Sequence, residues 1–178
     1  MFDYKAYGLQ VRCRENIALQ ELYMQGRPNN PYPKSICPTR MMKDSPHYEV
    51  FSLLELNGAD WLRQNFALTR YYKMSEFLNS KKNKAEKIVN LHKSIKTKGY
   101  GSGNFSDDLI SILKYPFAFT RYGRKVDNLV PEVFGGHHRI GSLLSLGIDT
   151  ANVIVLEDAD EGSERCRGKI HELCRLEG

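Results

Sequence analysis

The stretch that most limits what this chain can fold into is Val130–Leu156, which contains VPEVFGGHHRIGSLLSLG and ends on NVIVL. A strand-forming run leads into Gly135-Gly136, then into His137-His138-Arg139. Ile140, Leu143, Leu144 and Leu146 follow at the spacing of an amphipathic helix, and Gly147 stands where that helix ends. Asn152–Leu156 is a second strand-forming run. A strand, a glycine turn, a helix and a strand in immediate succession make the chain α+β.

Such a unit suits phosphate for physical reasons. Glycines let the backbone turn tightly and come close to an anion. The amides that open a helix have no intrahelical acceptor, and the helix dipole adds partial positive charge to them. Arg139 can grip phosphate oxygens in a bidentate fork, and His137 and His138 add donors whose charge depends on their surroundings. Gly135, Gly136, His137, His138 and Arg139 are therefore the candidate phosphate ligands, with Ser142 capping or touching the same group. The same residues also allow a plainer reading, in which the histidines cap and pack the helix and Arg139 lies on the surface. Placement of HHR directly after GG favours the phosphate.

The chain has 178 residues, 41% hydrophobic and 26% charged, enough for one domain with a true core and too apolar for disorder. No apolar run reaches the roughly 20 residues of a membrane span. The first residues lack the apolar centre of a signal peptide. Cys13, Cys37, Cys166 and Cys174 show no C-x-x-C pair, and they read as reduced thiols of a cytoplasmic protein. A net charge of +5 favours anionic partners such as nucleotides or nucleic acid, although it equally suits a mildly basic solvated surface.

Upstream, the proline-rich Gly26–Lys34 reads as a loop and Ile36–Met42 as a short strand. Ser45-Pro46 is a helix start, with helices expected over His47–Leu56 and Ala59–Phe66, broken at Asn57-Gly58. Further helices are expected over Arg70–Leu78, Ala85–Lys98 (closed by Gly99) and Asp107–Lys114. In the second of these, His92 shares a stripe with Ile88, Leu91 and Ile95 and reads as a packing residue. Lys81–Lys87 is the most basic run and suits a solvated helix start or linker. Tyr100–Ser106 is a glycine-rich connection, and Tyr115–Arg121 and Val130–Phe134 are short strands.

The segment FGGHHRIGSLLSLG resembles the ParB/sulfiredoxin superfamily, whose members open a helix with a G-x-H-R or G-x-R-R turn. The likeness is closest to sulfiredoxin's F-G-G-C-H-R, with His137 in place of the cysteine. KIVNLHKSIKTKGY, at Lys87–Tyr100, also resembles a family element. The likeness spans about Lys84–Asp158 and is specific mainly at GGHHR. It implies a small mixed sheet of ParB/sulfiredoxin type, to which the N-terminal half, residues 1–80, adds a helical layer within a single domain.

The departures narrow what the resemblance implies. His137 replaces the thiol that sulfiredoxin chemistry needs. About 30 residues follow the motif, too few for the DNA-binding module of a partition protein. The free-serine kinases of the superfamily, with D-G-H-x-R and ATP or ADP as donor, are the better match. They carry a catalytic acid near the first strand, where this chain has Arg40, followed by Asp44 and Glu49. The expectation is an ATP-, ADP- or CTP-binding phosphotransferase, with Mg2+, acting on a small hydroxyl-bearing metabolite. Asp44 or Glu49 orients the acceptor or the metal, and His138 serves as acid or base. The alternative is a nucleotide-responsive or nucleic-acid-binding module without chemistry, drawing on Lys81–Lys87 and on Tyr71, Tyr72, Tyr100 and Tyr122.

Overall fold

The computed structural model describes residues 9–24, 33–39, 41–78, 85–101, 109–113, 120–121, 124–125 and 131–158. Its elements are β1 (Leu9–Ala18), β2 (Tyr23–Met24), α1 (Pro46–Asn65), α2 (Arg70–Phe77), α3 (Ala85–Lys98) and β3 (Ile110–Leu113), then β4 (Thr120–Arg121), β5 (Arg124–Lys125), β6 (Glu132–Gly135), α4 (His137–Ser145) and β7 (Thr150–Asp158). Five strands form one mixed sheet in the order β1-β7-β3-β6-β2, and β4 pairs with β5 in a second, two-stranded sheet. The β7–β3 and β6–β2 pairs are parallel, whereas β1–β7 and β3–β6 are antiparallel. The chain is thus a mixed α/β protein.

One face of the sheet packs Ile110, Ile112, Val133, Val153 and Val155 against Ile140 and Leu143 of α4 and Ile95 of α3. Each such apolar side chain stabilises the fold by about 1.5–3 kcal/mol through its removal from water. A second cluster lies among the helices, where Val50, Phe51, Leu54 and Leu62 of α1 meet Tyr71 and Met74 of α2 and Ile88 of α3. Helix α3 bridges the two clusters, and α1 packs on α4. No helix among the described residues is long and apolar enough to cross a membrane.

Local chemistry explains the helix boundaries. Ser45 accepts the Tyr48 amide at 3.1 Å, with Pro46 in the first turn of α1. Thr69 caps α2 in the same way through the Tyr72 amide, also at 3.1 Å. Gly58 breaks α1 at φ 83°, ψ 171°, where the sequence places the Asn57-Gly58 interruption, and helical geometry resumes beyond it. Gly99 closes α3 through its amide and the Ile95 carbonyl. Helix α4 and strand β7 fall where the periodicity of Ile140–Leu146 and the NVIVL run put them.

Two expected elements differ. Within the Asp107–Lys114 segment, Ile110–Leu113 is a central strand and not a helix. ISIL has no periodicity of its own, and pairing with β6 and β7 on either side decides its conformation. Ile36–Met42 forms no strand among its described residues. Ile36 and Cys37 turn back on the Pro33 carbonyl, Met41 makes a single bridge to Tyr23, and a 3-10 turn begins at Met42. The Gly26–Lys34 loop, Lys81–Lys87, Tyr100–Ser106 and Tyr115–Arg121 lie mostly outside the described residues, as does Arg40.

Candidate anion site at the first turn of helix α4

Strand β6 delivers the chain to Gly135 and Gly136 beside β3. Gly136 has φ +96°, and a Cβ there would meet Ile110 Cα and Cγ1 at 3.1 Å, so both its conformation and its surroundings require glycine. Helix α4 starts immediately after it. The amide of Ile140 donates to the Gly136 carbonyl at 3.0 Å, and Gly136, in the capping position, has no side chain to cap the turn. Nor does the first turn hold an acidic residue. The residue before α4 thus supplies no side-chain cap to its opening amides, which carry the partial positive charge of a helix start.

Three imidazoles and a phenol gather here. His47, in the first turn of α1, lies with its ring 5.3 Å from that of His137 and 4.9 Å from that of His138, centroid to centroid. Tyr71 of α2 stands edge-on to both His47 and His138, each at 5.3 Å. Its hydroxyl and His138 Nε2 share a hydrogen bond of 2.6 Å. His47 is only 8% exposed, and its Nδ1 has no hydrogen-bond partner. The reason α1 comes so near is Gly141. A Cβ on that residue would sit 2.7 Å from the His47 carbonyl oxygen and 3.0 Å from Phe51 Cδ2.

The electrostatics follow from this crowding. Burial and the neighbouring His138 hold the His137 pKa down to about 4. Burial, then Arg139 and Lys87, hold that of His138 down to about 4. His47 is pushed well below its ordinary value by burial, then by His138 and His137. All three rings are neutral at pH 7. The charged side chains that act on His138 are both cations, one from the first turn of α4 and one from the first turn of α3.

The other expected residues sit elsewhere. The Ser142 hydroxyl is fully buried and bonded at 2.8 Å to His92 Nδ1, one turn beyond the imidazole cluster. His92 Nε2 reaches Glu55 at 2.6 Å, and Lys96 holds the same carboxylate at 2.8 Å. The Lys96 bond, then that of His92, draws the Glu55 pKa below its usual range. The series Ser–His–Glu has the composition of a hydrolytic triad, but the buried hydroxyl offers no access to a substrate. Asp44 accepts the Thr39 hydroxyl at 2.6 Å. Glu49 accepts the Arg70 amide at 3.0 Å and pairs with its guanidinium at 3.2 Å.

Among the described residues no group of three or more His, Cys, Asp or Glu could hold a metal ion. Sequence reasoning did not reach His47, and it named Tyr71 only as one of several aromatics of a binding module. A histidine after Ser-Pro and a tyrosine in a short helix carry no motif, and only the packing of α1 and α2 beside α4 brings them in. Lys87 was visible as one cation in a basic run. No family model matches the chain, and neither a characterised protein nor a solved structure matches it.

Proposed function

We propose that the protein binds a nucleotide through its phosphates at the first turn of α4 and transfers a phosphoryl group to a small hydroxyl-bearing metabolite. The observation that carries the reading is the uncapped first turn of α4, flanked by Arg139 and Lys87 and by the unpartnered Nδ1 of His47. A helix terminus gives an anion about 0.3–1 kcal/mol, and more where water is excluded. Each charge-assisted hydrogen bond adds about 1.5–3 kcal/mol. Phosphoryl transfer asks little beyond positioning and charge neutralisation. Any Mg2+ is brought by the phosphates of the nucleotide rather than by a carboxylate cage. The reading takes Lys84–Asp158 as a ParB/sulfiredoxin-like core, and the strand–glycine turn–helix–strand order supports it.

Asp44 and Glu49 are engaged by Thr39 and Arg70, so the acceptor hydroxyl finds its base in His138, neutral at pH 7 and oriented by Tyr71. That same engagement of both carboxylates favours a second reading, a nucleotide-responsive or nucleic-acid-binding module without transfer. Thermal-shift titration with ATP, ADP and CTP, with and without Mg2+, tests the shared premise. A rise in Tm that Arg139→Ala abolishes is expected, and no shift with any nucleotide at millimolar concentration removes the reading. Labelled ATP with a panel of hydroxylated metabolites then separates transfer from binding alone. A salt-sensitive shift of short DNA without turnover favours the module.

A further inference from the structure

The three histidines of the cluster are not equivalent. His138 has its Nε2 committed to Tyr71 at 2.6 Å. His47 is 8% exposed, with its backbone carbonyl close against Gly141. His137 is the first residue of α4, sits beside its uncapped amides, and is only partly buried. Neither of its ring nitrogens has a hydrogen-bond partner among the described residues, and its ring contact is with His47. A partly exposed imidazole with an uncommitted nitrogen, placed where a phosphoryl group would be held, has the placement of a nucleophile.

We propose that His137 carries the phosphoryl group as a phosphohistidine, making the transfer a two-step displacement. The proposal rests on the phosphate-binding reading of this same turn. In the first step the lone pair of the unprotonated ring nitrogen forms an N–P bond with the terminal phosphorus of a nucleoside triphosphate. The P–O bond to the diphosphate breaks, and the nucleoside diphosphate leaves with that electron pair. The second ring nitrogen keeps its proton, so the adduct is a phosphoryl-imidazolium, a good leaving group. In the second step the oxygen of an acceptor hydroxyl attacks phosphorus and the N–P bond breaks. His137 recovers its lone pair, and the hydroxyl proton passes to His138 and then to solvent. No electron is gained or lost, and the sum is triphosphate plus alcohol giving diphosphate, phosphate ester and one proton. The shift of His137 to about 4 keeps the ring unprotonated at pH 7, in the form that attacks.

The test is to label the full chain with ATP carrying a radioactive terminal phosphate and, in parallel, with labelled acetyl phosphate, which needs no nucleotide site. Protein-bound label that survives base and is lost in mild acid is expected. It is absent in His137→Asn, while that variant keeps the wild-type Tm. Label of this kind in wild-type protein that persists in His137→Asn overturns the proposal, as does its absence from both donors when ATP raises the Tm. If acetyl phosphate labels His137 but no nucleotide shifts the Tm, the nucleophile stands and the nucleotide reading falls. If neither donor labels and no nucleotide binds, both fall.

Discussion

Helix α4 touches two imidazole networks, one at its first turn and one a turn further along; α1, α3 and α4 contribute to both, and α2 adds Tyr71 to the first. Helix α1 supplies His47 to the first and Glu55 to the second. Helix α4 supplies His137 and His138 to the first and Ser142 to the second, and α3 gives His92 to the second with Lys87 facing the first. In the second group both nitrogens of the His92 ring are paired, and its charged end is closed by Lys96. In the first, His138 shares a proton with Tyr71 while His47 Nδ1 has no partner. Buried polar groups are normally satisfied, because an orphan costs about 1–3 kcal/mol. The incomplete network lies at the turn where the anion is proposed to bind, and the completed one does not. The same scaffold thus holds a fully bonded histidine beside one with an unpartnered ring nitrogen.

The largest effect is expected where the two groups share a foundation. Alanine in place of an interior helical glycine ordinarily stabilises by about 1 kcal/mol. At Gly141 the added methyl would lie 2.7 Å from the His47 carbonyl oxygen and 2.8 Å from its carbon, and neither atom is the tip of a flexible side chain. Gly141→Ala should therefore cost about 3 kcal/mol by forcing α1 from α4. A lower urea midpoint, together with loss of any nucleotide-induced thermal shift, is the result to look for. An unchanged midpoint would mean that the seam between α1 and α4 is loose, and the contrast between the groups would lose its frame.

Next in size is the completed network. Ser142→Ala leaves His92 Nδ1 buried without a partner, at a cost of about 2 kcal/mol. His137→Asn, at a partly exposed ring with no hydrogen bond to lose, should change stability by less than about 0.5 kcal/mol. Measured side by side in urea, the two variants sharpen the comparison. Equal losses would erase it.

The pH dependence separates the groups with no mutation in the first instance. His137 and His138 have ordinary values of 6.5, and in the folded protein they stand at about 4, with His47 also depressed. Below pH 6.5 the unfolded chain therefore binds protons that the folded chain refuses, and stability falls with pH through the window from 6.5 toward 4. Each histidine contributes at most about 1.4 kcal/mol per pH unit, and coupling among the three reduces the sum to about 1–2 kcal/mol on going from pH 6.5 to 5.5. Urea midpoints over that interval should drop, and the slope should flatten in His137→Asn. A flat wild-type curve would place these rings in water.

How much of this was legible in the sequence depends on the range of the forces involved. Gly135 to Leu156 was readable because its signals are local: a glycine turn, a helical period and a strand-forming run, each specified by neighbouring residues. Strand β3 was not, because ISIL becomes a strand through partners at Val133 and Val153–Leu156. Strand β1 hides for a related reason. LQVRCRENIA alternates imperfectly, shifts register between Val11 and Cys13, and pairs with β7 from the other end of the chain. Ser142 was assigned to phosphate from its place on α4, yet its side chain turns inward to His92, a residue fifty positions earlier. His47 was invisible as a site residue because nothing within its own helix distinguishes it, and its meaning comes from Gly141 and the two histidines of α4.

The smallest effect is also the most discriminating, because its sign reverses. His47→Phe replaces a buried imidazole whose Nδ1 has no partner by a ring of similar size with no polar atom. The edge-on and tilted contacts with Tyr71, His137 and His138 are ones a phenyl ring can keep. Removing an unsatisfied buried nitrogen should stabilise by about 1 kcal/mol, visible as a rise in Tm of about 2–4 °C. The same change should weaken the thermal shift given by nucleotide, since the group held open for the ligand is gone. A purely structural histidine predicts the opposite pairing, with a lower Tm and unaltered binding. Stability gained and binding lost in one substitution is therefore the signature that separates His47 from His92, where the corresponding His92→Phe strands the buried Ser142 hydroxyl and should destabilise.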